Sequence, residues 1–509
     1  MGEVLNNPLN PVIVLFVKNR ENNHSKTYSK FTPKNIAVLL LVPFVANLDL
    51  FYHQIAWSDD FAIKAESINT GGRETLLEIS ANLRPLYALF LKVVFSRITH
   101  ENDVIYLQVF SLIGMCLLSL LLFKILFERG FSSKFSLVTI TMLNCLPSFQ
   151  QYTHFSTIAI FSWVCAGSTL AFYLISKSNF RYLLLSVALI FIGTLIYPPA
   201  ALFGLALLSI DVTYEINQGK SIFSHTFMRK VKMTFLMYGI GSISGLIFAY
   251  AYGFILGVQF ADRTKLITSL SLFIEKCQWI FTHLLISEFR PFAIGAGDMR
   301  IVALQVLPAI ILLARALILN HSVKLKLSIL SLIFFPIISC LPNLVIAENQ
   351  FEFRTLPGLC FGGMFVYCYL AVTQLKKILS RLSISVTNVV ILMLLSTIVV
   401  NSQWNSYELW TSPGKIRKEI VNSQASKLTK NVCVYLPDKS LEPLARLGIY
   451  SMRTDLQSEW VTDNLFVFIP TISRDTQVFV VKDKSNCVEG DSILDFSPLG
   501  DISYRRFIW

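Results

Sequence analysis

Charge is what this sequence has little of: Lys, Arg, Asp and Glu make up 15% of its 509 residues, whereas 54% are hydrophobic. A soluble globular chain normally carries about 25% charged residues, so this shortage excludes a large soluble protein and indicates a membrane-embedded body. The net charge of +12 does not indicate nucleic acid binding, because the basic residues lie in short clusters between apolar runs. We therefore expect a lipid bilayer, and no nucleic acid, among its partners.

Metal-binding and targeting patterns are also missing. The nine cysteines include no CxxC pair, and we find no internal repeats, no low-complexity segment and no evident cleavable signal peptide. Seven cysteines lie in or near apolar segments, as small buried hydrophobic residues do. Cys433 and Cys487 stand apart in a polar region. They can form a disulfide if that region lies outside the cytoplasm, although the sequence does not establish the geometry.

Long apolar runs are what the sequence has in abundance. A helix that crosses the hydrocarbon needs about 20 mainly apolar residues, and about eleven such runs are visible. They are expected to begin near Asn35, Val104, Phe135, Ser156, Tyr182, Ala200, Met233, Ile301, Leu327, Leu356 and Val386. Basic connections occupy every second position between them. Under the positive-inside rule, the N-terminus is then cytoplasmic and the chain after Asn401 lies outside.

These patterns predict an α-helical polytopic membrane protein with a small outer α/β domain at its C-terminal end. The expected parts are a cytoplasmic tail over residues 1–34, a transmembrane body over 35–402 with a first outer loop over 54–103, and an outer domain over 403–509. The apolar stretch 82–100 is short for a span and contains Lys92, so we expect it on the outer surface, with two short amphipathic helices in the loop. The tail predicts strands at "NVCVYLPD", "NLFVFIP" and "TQVFVVKD", and a helix at "SLEPLARLGIYSM".

Charged side chains on the predicted outer face suggest chemistry on a lipid phosphate. They are the pair Asp59 and Asp60 in "HQIAWSDDFA", Arg84 in the surface stretch, Arg290 in a long outer loop, and Glu348, Glu352 and Arg354 in a short one. An Arg guanidinium binds phosphate through charge-assisted hydrogen bonds. A carboxylate can take the proton of an attacking hydroxyl, and two adjacent carboxylates repel, which raises the pKa of one of them.

Each of these residues also has a purely structural interpretation. The acidic pair can cap a helix, Arg84 can extend its charge to the interface, and the acids near Arg354 can form an ion-pair cluster. Tyr197, before two prolines in "YPPAALF", marks a helix break that can line a cavity. We expect His154 to be an interfacial side chain rather than a ligand.

The motifs "WSDD" after the first span, "LRPL" in the outer stretch and "YPPAALF" at a later span resemble those of the serotype-converting O-antigen glucosyltransferases. These are polytopic type C glycosyltransferases of enteric bacteria and their phages. The resemblance covers about residues 35–401, and we match no motif in the C-terminal region. It implies a type C glycosyltransferase fold in the bacterial inner membrane, with the active site and C-terminus in the periplasm.

The resemblance further implies transfer of glucose from undecaprenyl phosphate glucose to a sugar of the O-antigen, in one displacement with inversion. Asp59 or Asp60 would be the general base, with Asp59 favoured, and Arg84 and Arg354 would bind phosphate. The other substrate-binding candidates are Glu348, Glu352, Tyr197 and Arg290. Some enzymes of this class use a divalent metal near the acid. We expect no cofactor and no metal here, because the sequence has no dedicated cluster of ligands.

Two other functions fit parts of the pattern. A flippase or transporter for a lipid-linked glycan also needs outer arginines, but it requires polar groups along a path through the bilayer. An O-antigen polymerase or ligase handles polyprenyl-linked glycans on the same face. The early acidic pair and the large outer C-terminal region favour the glycosyltransferase.

Overall fold

The chain folds into a helical body followed by a small parallel sheet in the computed structural model of the protein. The structure describes residues 32–57, 59–177, 179–261, 264–279, 314, 318, 323–346, 353–379, 384–407, 411–424, 431–435, 477–481, 484–487 and 492–496.

The helices of the N-terminal half are α1 (Pro33–Ala46), α2 (Asp49–Tyr52), α3 (Asp59–Thr70), α4 (Arg73–Ala81), α5 (Pro85–Phe95), α6 (Val104–Glu128), α7 (Ser133–Asn144), α8 (Pro147–His154), α9 (Phe161–Ile175) and α10 (Phe180–Ile196). Those that follow are α11 (Pro198–Ala201), α12 (Phe203–Ala206), α13 (Leu208–Asn217), α14 (His225–Ile255), α15 (Leu270–Trp279), α16 (Val323–Ser339), α17 (Leu341–Val345), α18 (Pro357–Leu379), α19 (Ile384–Ser406) and α20 (Ser412–Gln424). Helix α9 packs between α6 and α10, α10 packs on α14, and α16 contacts both α13 and α18.

Among the described residues, four helical segments are long and apolar enough to cross a membrane. They are Glu101–Glu128, Ser156–Ile175, Pro198–Asn217 and His225–Ile255. Shorter apolar helices include Pro33–Ala46, Phe180–Ile196 and Lys326–Ser339. This composition is compatible with a helical membrane protein. A helix occupies each expected span except the one near Ile301, which lies outside the described residues, and the number of crossings stays a prediction.

The segment predicted as the first outer loop contains three short helices, α3, α4 and α5, so the expectation of two is wrong. Gly71 and Gly72 separate α3 from α4 with φ values of 62° and 74°, a backbone region that favours glycine. Leu83, at φ 60°, and the following Arg84-Pro85 separate α4 from α5. Pro85 begins α5 because a proline tolerates the first helical turn but not the helix interior.

Proline also shapes other helices of the body. Helix α7 has only 12 residues, and the chain restarts as α8 at Pro147, so the apolar run expected from Phe135 is broken. Tyr197 is extended between α10 and α11, with φ −156° and ψ 100°. The helix break expected at this tyrosine is therefore present, and the buried Tyr197 ring belongs to neither of the two helices.

The C-terminal part of the described chain contains a three-stranded parallel sheet. Its strands are β1 (Asn431–Tyr435), β2 (Gln477–Val481) and β3 (Ser492–Asp495), in the order β2-β1-β3. Two of the expected strands are found, whereas β3 was not expected, and "NLFVFIP" and "SLEPLARLGIYSM" lie outside the described residues. Cys433 on β1 and Cys487 form a disulfide, with their Cα atoms 5.7 Å apart.

Candidate active site

Asp60 is a fully buried carboxyl group at the start of α3. Its Oδ2 accepts the backbone N–H of Trp57 at 2.8 Å, and its Oδ1 accepts the backbone N–H of Thr157 at 3.0 Å. Thr157 lies in the turn between α8 and α9, so Asp60 joins the outer loop to the helical body. Burial raises the pKa of Asp60 to about 8, against the opposing effect of the hydrogen bond from Trp57.

Asp59, in contrast, faces a cation. Its side chain is 36% exposed, and its Oδ2 lies 3.8 Å from Nη1 of Arg354, whose side chain is 18% exposed. The two residues are almost three hundred positions apart in the chain. The structure therefore brings together the residue that we favoured as general base and one of the arginines expected to bind phosphate.

Helix α8 fixes the backbone of Arg354 on both sides. The N–H of Arg354 donates to Oε1 of Gln151 at 2.8 Å, and the Tyr152 hydroxyl donates to the Arg354 carbonyl at 2.9 Å. Both α8 side chains are buried. The next residue, Thr355, accepts a hydrogen bond from the Asn343 side chain. These buried partners fix the backbone of Arg354, and its side chain extends from there toward Asp59.

Arg84 lies over an aromatic stack. Its guanidinium carbon is 5.0 Å from the centre of the Tyr197 ring, a cation–π distance. The Tyr197 ring stacks on Phe161, with centroids 4.0 Å apart and planes within 5°. Tyr87 packs against the same Phe161 ring at 5.1 Å. Three buried rings thus form a rigid floor, to which we refer as the aromatic floor.

Tyr87 is the point where the predicted residues converge. The charges of Arg354, Asp59, Arg84 and Asp60 all act on its hydroxyl, although burial is the largest influence and raises its pKa. Sequence reasoning missed Tyr87. Its only signal was its place three residues after Arg84 in "LRPLY", a spacing that puts two residues on the same face of a helix.

Arg417 supports the segment that leads to the acidic pair, and sequence reasoning missed it too. This α20 side chain is 2% exposed, and its Nη2 donates to Oε1 of Glu101 at 2.6 Å and to the carbonyl of Ala56 at 3.0 Å. Its guanidinium carbon lies 4.4 Å from the centre of the Phe61 ring. Oε1 of Glu101 also accepts the Ala56 N–H at 3.0 Å. These contacts fix the backbone at Ala56, three residues before Asp59.

Three predicted site residues, Glu348, Glu352 and Arg290, lie outside the described residues. His154, which we expected at the interface, is instead buried at 4% exposure, with its Nε2 3.0 Å from Oδ2 of Asp49. This buried pair packs α8 against α2, so it belongs to the interior of the body.

The described residues contain no group of three or more His, Cys, Asp or Glu side chains that could hold a metal ion. Independence from metal stays a prediction. The charges that the described part of the site does offer are two guanidinium groups and two carboxyl groups. Asp60 is fully buried, so the charges that a ligand can meet are one carboxylate, Asp59, and two guanidinium groups, Arg84 and Arg354, which together are net positive. A net positive site favours an anionic ligand such as a phosphate.

Searches of protein-family models and of curated proteins find no match to this chain.

Proposed function

We propose that this protein is a membrane glycosyltransferase that moves a hexose from a polyprenyl phosphate sugar to a hydroxyl of an acceptor glycan. One observation carries the proposal. A half-exposed carboxylate, Asp59, lies 3.8 Å from the guanidinium of Arg354, and a second guanidinium, Arg84, lies on the aromatic floor; all three charges act on the Tyr87 hydroxyl. A base and two phosphate-binding groups thus meet at one place next to apolar helices, where a lipid-linked substrate can dock.

In the proposed reaction, Asp59 accepts the proton of the acceptor hydroxyl as that oxygen attacks the anomeric carbon of the hexose. The new bond joins the anomeric carbon to the acceptor oxygen. The bond between the anomeric carbon and the phosphate oxygen breaks, and the polyprenyl phosphate leaves with the electron pair. Arg354 and Arg84 stabilise the negative charge that develops on the phosphate.

The two aspartates have different roles in this proposal. Asp59 is exposed enough to meet a substrate. Asp60 is fully buried, and both of its oxygens accept backbone N–H groups. Its role is to hold the start of α3 against the turn at Thr157, which orients Asp59 toward Arg354.

The finer assignment rests on the resemblance of "WSDD", "LRPL" and "YPPAALF" to the O-antigen glucosyltransferases. On that basis the donor is undecaprenyl phosphate glucose, the acceptor is an O-antigen sugar, and the site faces the periplasm from the inner membrane. The disulfide between Cys433 and Cys487 supports an outer C-terminal region, because disulfides persist in oxidising compartments such as the periplasm.

The test is to express the protein in a strain that makes both the O-antigen and the polyprenyl-linked glucose, and to analyse the sugars of the purified polysaccharide. We expect a side-branch hexose with the unchanged protein. Asp59→Asn and Arg354→Gln should abolish it at normal membrane levels. The matched control is Glu74→Gln, which neutralises an exposed carboxylate of the same outer loop and should keep the branch.

Two outcomes would contradict the proposal. A branch that persists in Asp59→Asn would make the acidic pair structural only. If the unchanged protein adds no branch but alters polysaccharide chain length or its attachment to lipid, the activity is that of a polymerase or ligase.

A further inference from the structure

Helix α14 carries a stripe of basic side chains at its N-terminal end. His225, Arg229 and Lys232 are exposed and line one groove of about 260 Å³ together with Met228, Met233 and Leu236. The spacing of four and three residues puts the three basic side chains on one face of the helix. In the part of the chain that the structure describes, none of the three forms an ion pair.

The basic residues next to this stripe behave differently. Lys230, one position away, forms an ion pair with Asp211, and Arg129 contacts the same carboxylate at 2.5 Å. Lys177 pairs with Glu128 at 3.7 Å. Carboxylates of the protein itself therefore neutralise these cations, whereas the basic side chains of the α14 stripe are exposed.

An apolar groove continues the stripe along the same helix. It has a volume of about 440 Å³ and runs from Phe235 to Ile247, with Leu236 shared between the two grooves. Its floor is Gly239, where an added Cβ would meet nothing within 4 Å. The exposed walls include Ile240 and Ile243, at 45% and 60% exposure. The basic stripe and the apolar groove together match a lipid molecule, which has a charged headgroup at one end and an acyl chain along the rest.

The dimensions fit one membrane leaflet. Helix α14 has 31 residues, about 46 Å at the usual rise per residue, which exceeds the ~30 Å hydrocarbon core. Its first two turns can therefore lie at the level of the headgroups. The apolar groove extends over roughly 18 Å of helix, comparable to the ~15 Å depth of one leaflet.

We infer that α14 binds one anionic phospholipid, with its headgroup phosphate on Arg229 and Lys232 and an acyl chain in the groove over Gly239. This site is separate from Asp59 and Arg354 and does not depend on the proposed transfer reaction. It holds in whichever leaflet the N-terminal end of α14 lies. Its occupant would cover a helix face that no described part of the chain covers.

The test compares binding of phosphatidylglycerol and phosphatidylcholine with identical acyl chains to the purified full-length protein, by native mass spectrometry in detergent. We expect phosphatidylglycerol to bind more tightly. Replacing Arg229 and Lys232 together with Gln should weaken its binding about 25-fold, since each cation near an anionic lipid surface contributes roughly fivefold. Arg181→Gln removes an exposed cation at the start of another helix and should leave the affinity unchanged.

A second variant tests the tail groove. Gly239→Phe fills the groove while all headgroup cations remain, and it should weaken phosphatidylglycerol binding without lowering thermal stability, because the added side chain starts in open space. Inorganic phosphate at millimolar concentration should not compete. Three results would overturn the inference: unchanged affinity in both α14 variants, an equal loss with Arg181→Gln, or full displacement by inorganic phosphate, which would indicate a simple anion site.

Discussion

Removing the Arg417 guanidinium should loosen the outer loop that carries Asp59. Arg417 is 2% exposed, and its Nη2 donates to Glu101 and to the Ala56 carbonyl at 2.6 and 3.0 Å. Arg417→Met keeps an apolar stem but leaves the Glu101 carboxylate, 12% exposed, without the cation that hydrogen-bonds to it. Breaking one partner of a buried ion pair costs about 3–5 kcal/mol, because the remaining charge stays desolvated.

The neighbouring pair on α20 provides a matched control. Lys415 and Glu419 are 3.8 Å apart, with side chains 40% and 65% exposed. An exposed pair of this kind contributes at most about 1 kcal/mol. Lys415→Met should therefore change thermal stability little, although it removes one cation from the same helix as Arg417→Met does.

A thiol-reactive fluorophore can report unfolding in detergent, because six of the seven free cysteines are buried. We expect Arg417→Met to lower the unfolding temperature clearly and Arg417→Lys to recover part of the loss. Adding Glu101→Gln to Arg417→Met should also recover stability, since it removes the stranded charge. In the transfer assay, Arg417→Lys should lower kcat more than it raises KM, because Asp59 shifts while the phosphate-binding groups stay. Equal stability losses for Arg417→Met and Lys415→Met would refute the argument.

Three further predictions follow from single residues. Folding raises the pKa of Asp60 from 3.8 to about 8, so this group's contribution to stability is fully present below pH 4 and is lost as the pH rises to 8. The difference in unfolding temperature between the unchanged protein and Asp60→Asn should therefore narrow over that pH range. A difference that widens would contradict the pKa shift. A Cβ at Gly241 would lie 3.0 Å from a backbone carbonyl oxygen of α10, so Gly241→Ala should lower the stability by about 1–3 kcal/mol. Gly239→Ala places its Cβ in open space and should change the stability little. Equal unfolding temperatures for the two variants would refute this prediction. Cys433→Ser opens a disulfide that spans 54 positions. In the chain-entropy account this lowers the stability of the C-terminal region by about 4 kcal/mol, so the region should become more sensitive to limited proteolysis. Unchanged digestion would show that the bond adds no stability.

Helix positions were the part of the fold that sequence patterns predicted well. Hydrophobic run length alone located them, because lipid-facing and buried residues are both apolar. The number of helices in the outer loop was wrong although its signal was visible, since Gly71 and Gly72 interrupt the run between α3 and α4. Element boundaries of this kind depend on local backbone geometry, which composition does not report.

Sequence patterns named the candidate site residues one by one, but not their arrangement. Asp59 and Arg354 are distant in the chain, and tertiary packing brings them together, since α8 holds the Arg354 backbone and the turn at Thr157 holds Asp60. The difference between Asp59 and Asp60 was also hidden, because it depends on the tertiary hydrogen bond from Thr157. Arg417 was missed since it lies in a polar helix, where an arginine is normally exposed.

The most direct test of the central claim is transfer by the purified protein. Polyprenyl phosphate carrying a radiolabelled hexose is supplied with the acceptor glycan, and release of the label from lipid into glycan is measured for the unchanged protein, Asp59→Asn and Glu74→Gln. The account predicts transfer by the unchanged protein and by Glu74→Gln, and a loss of at least about a hundredfold in kcat for Asp59→Asn, as expected for removal of a general base. Transfer by Asp59→Asn at the rate of the unchanged protein would contradict the account.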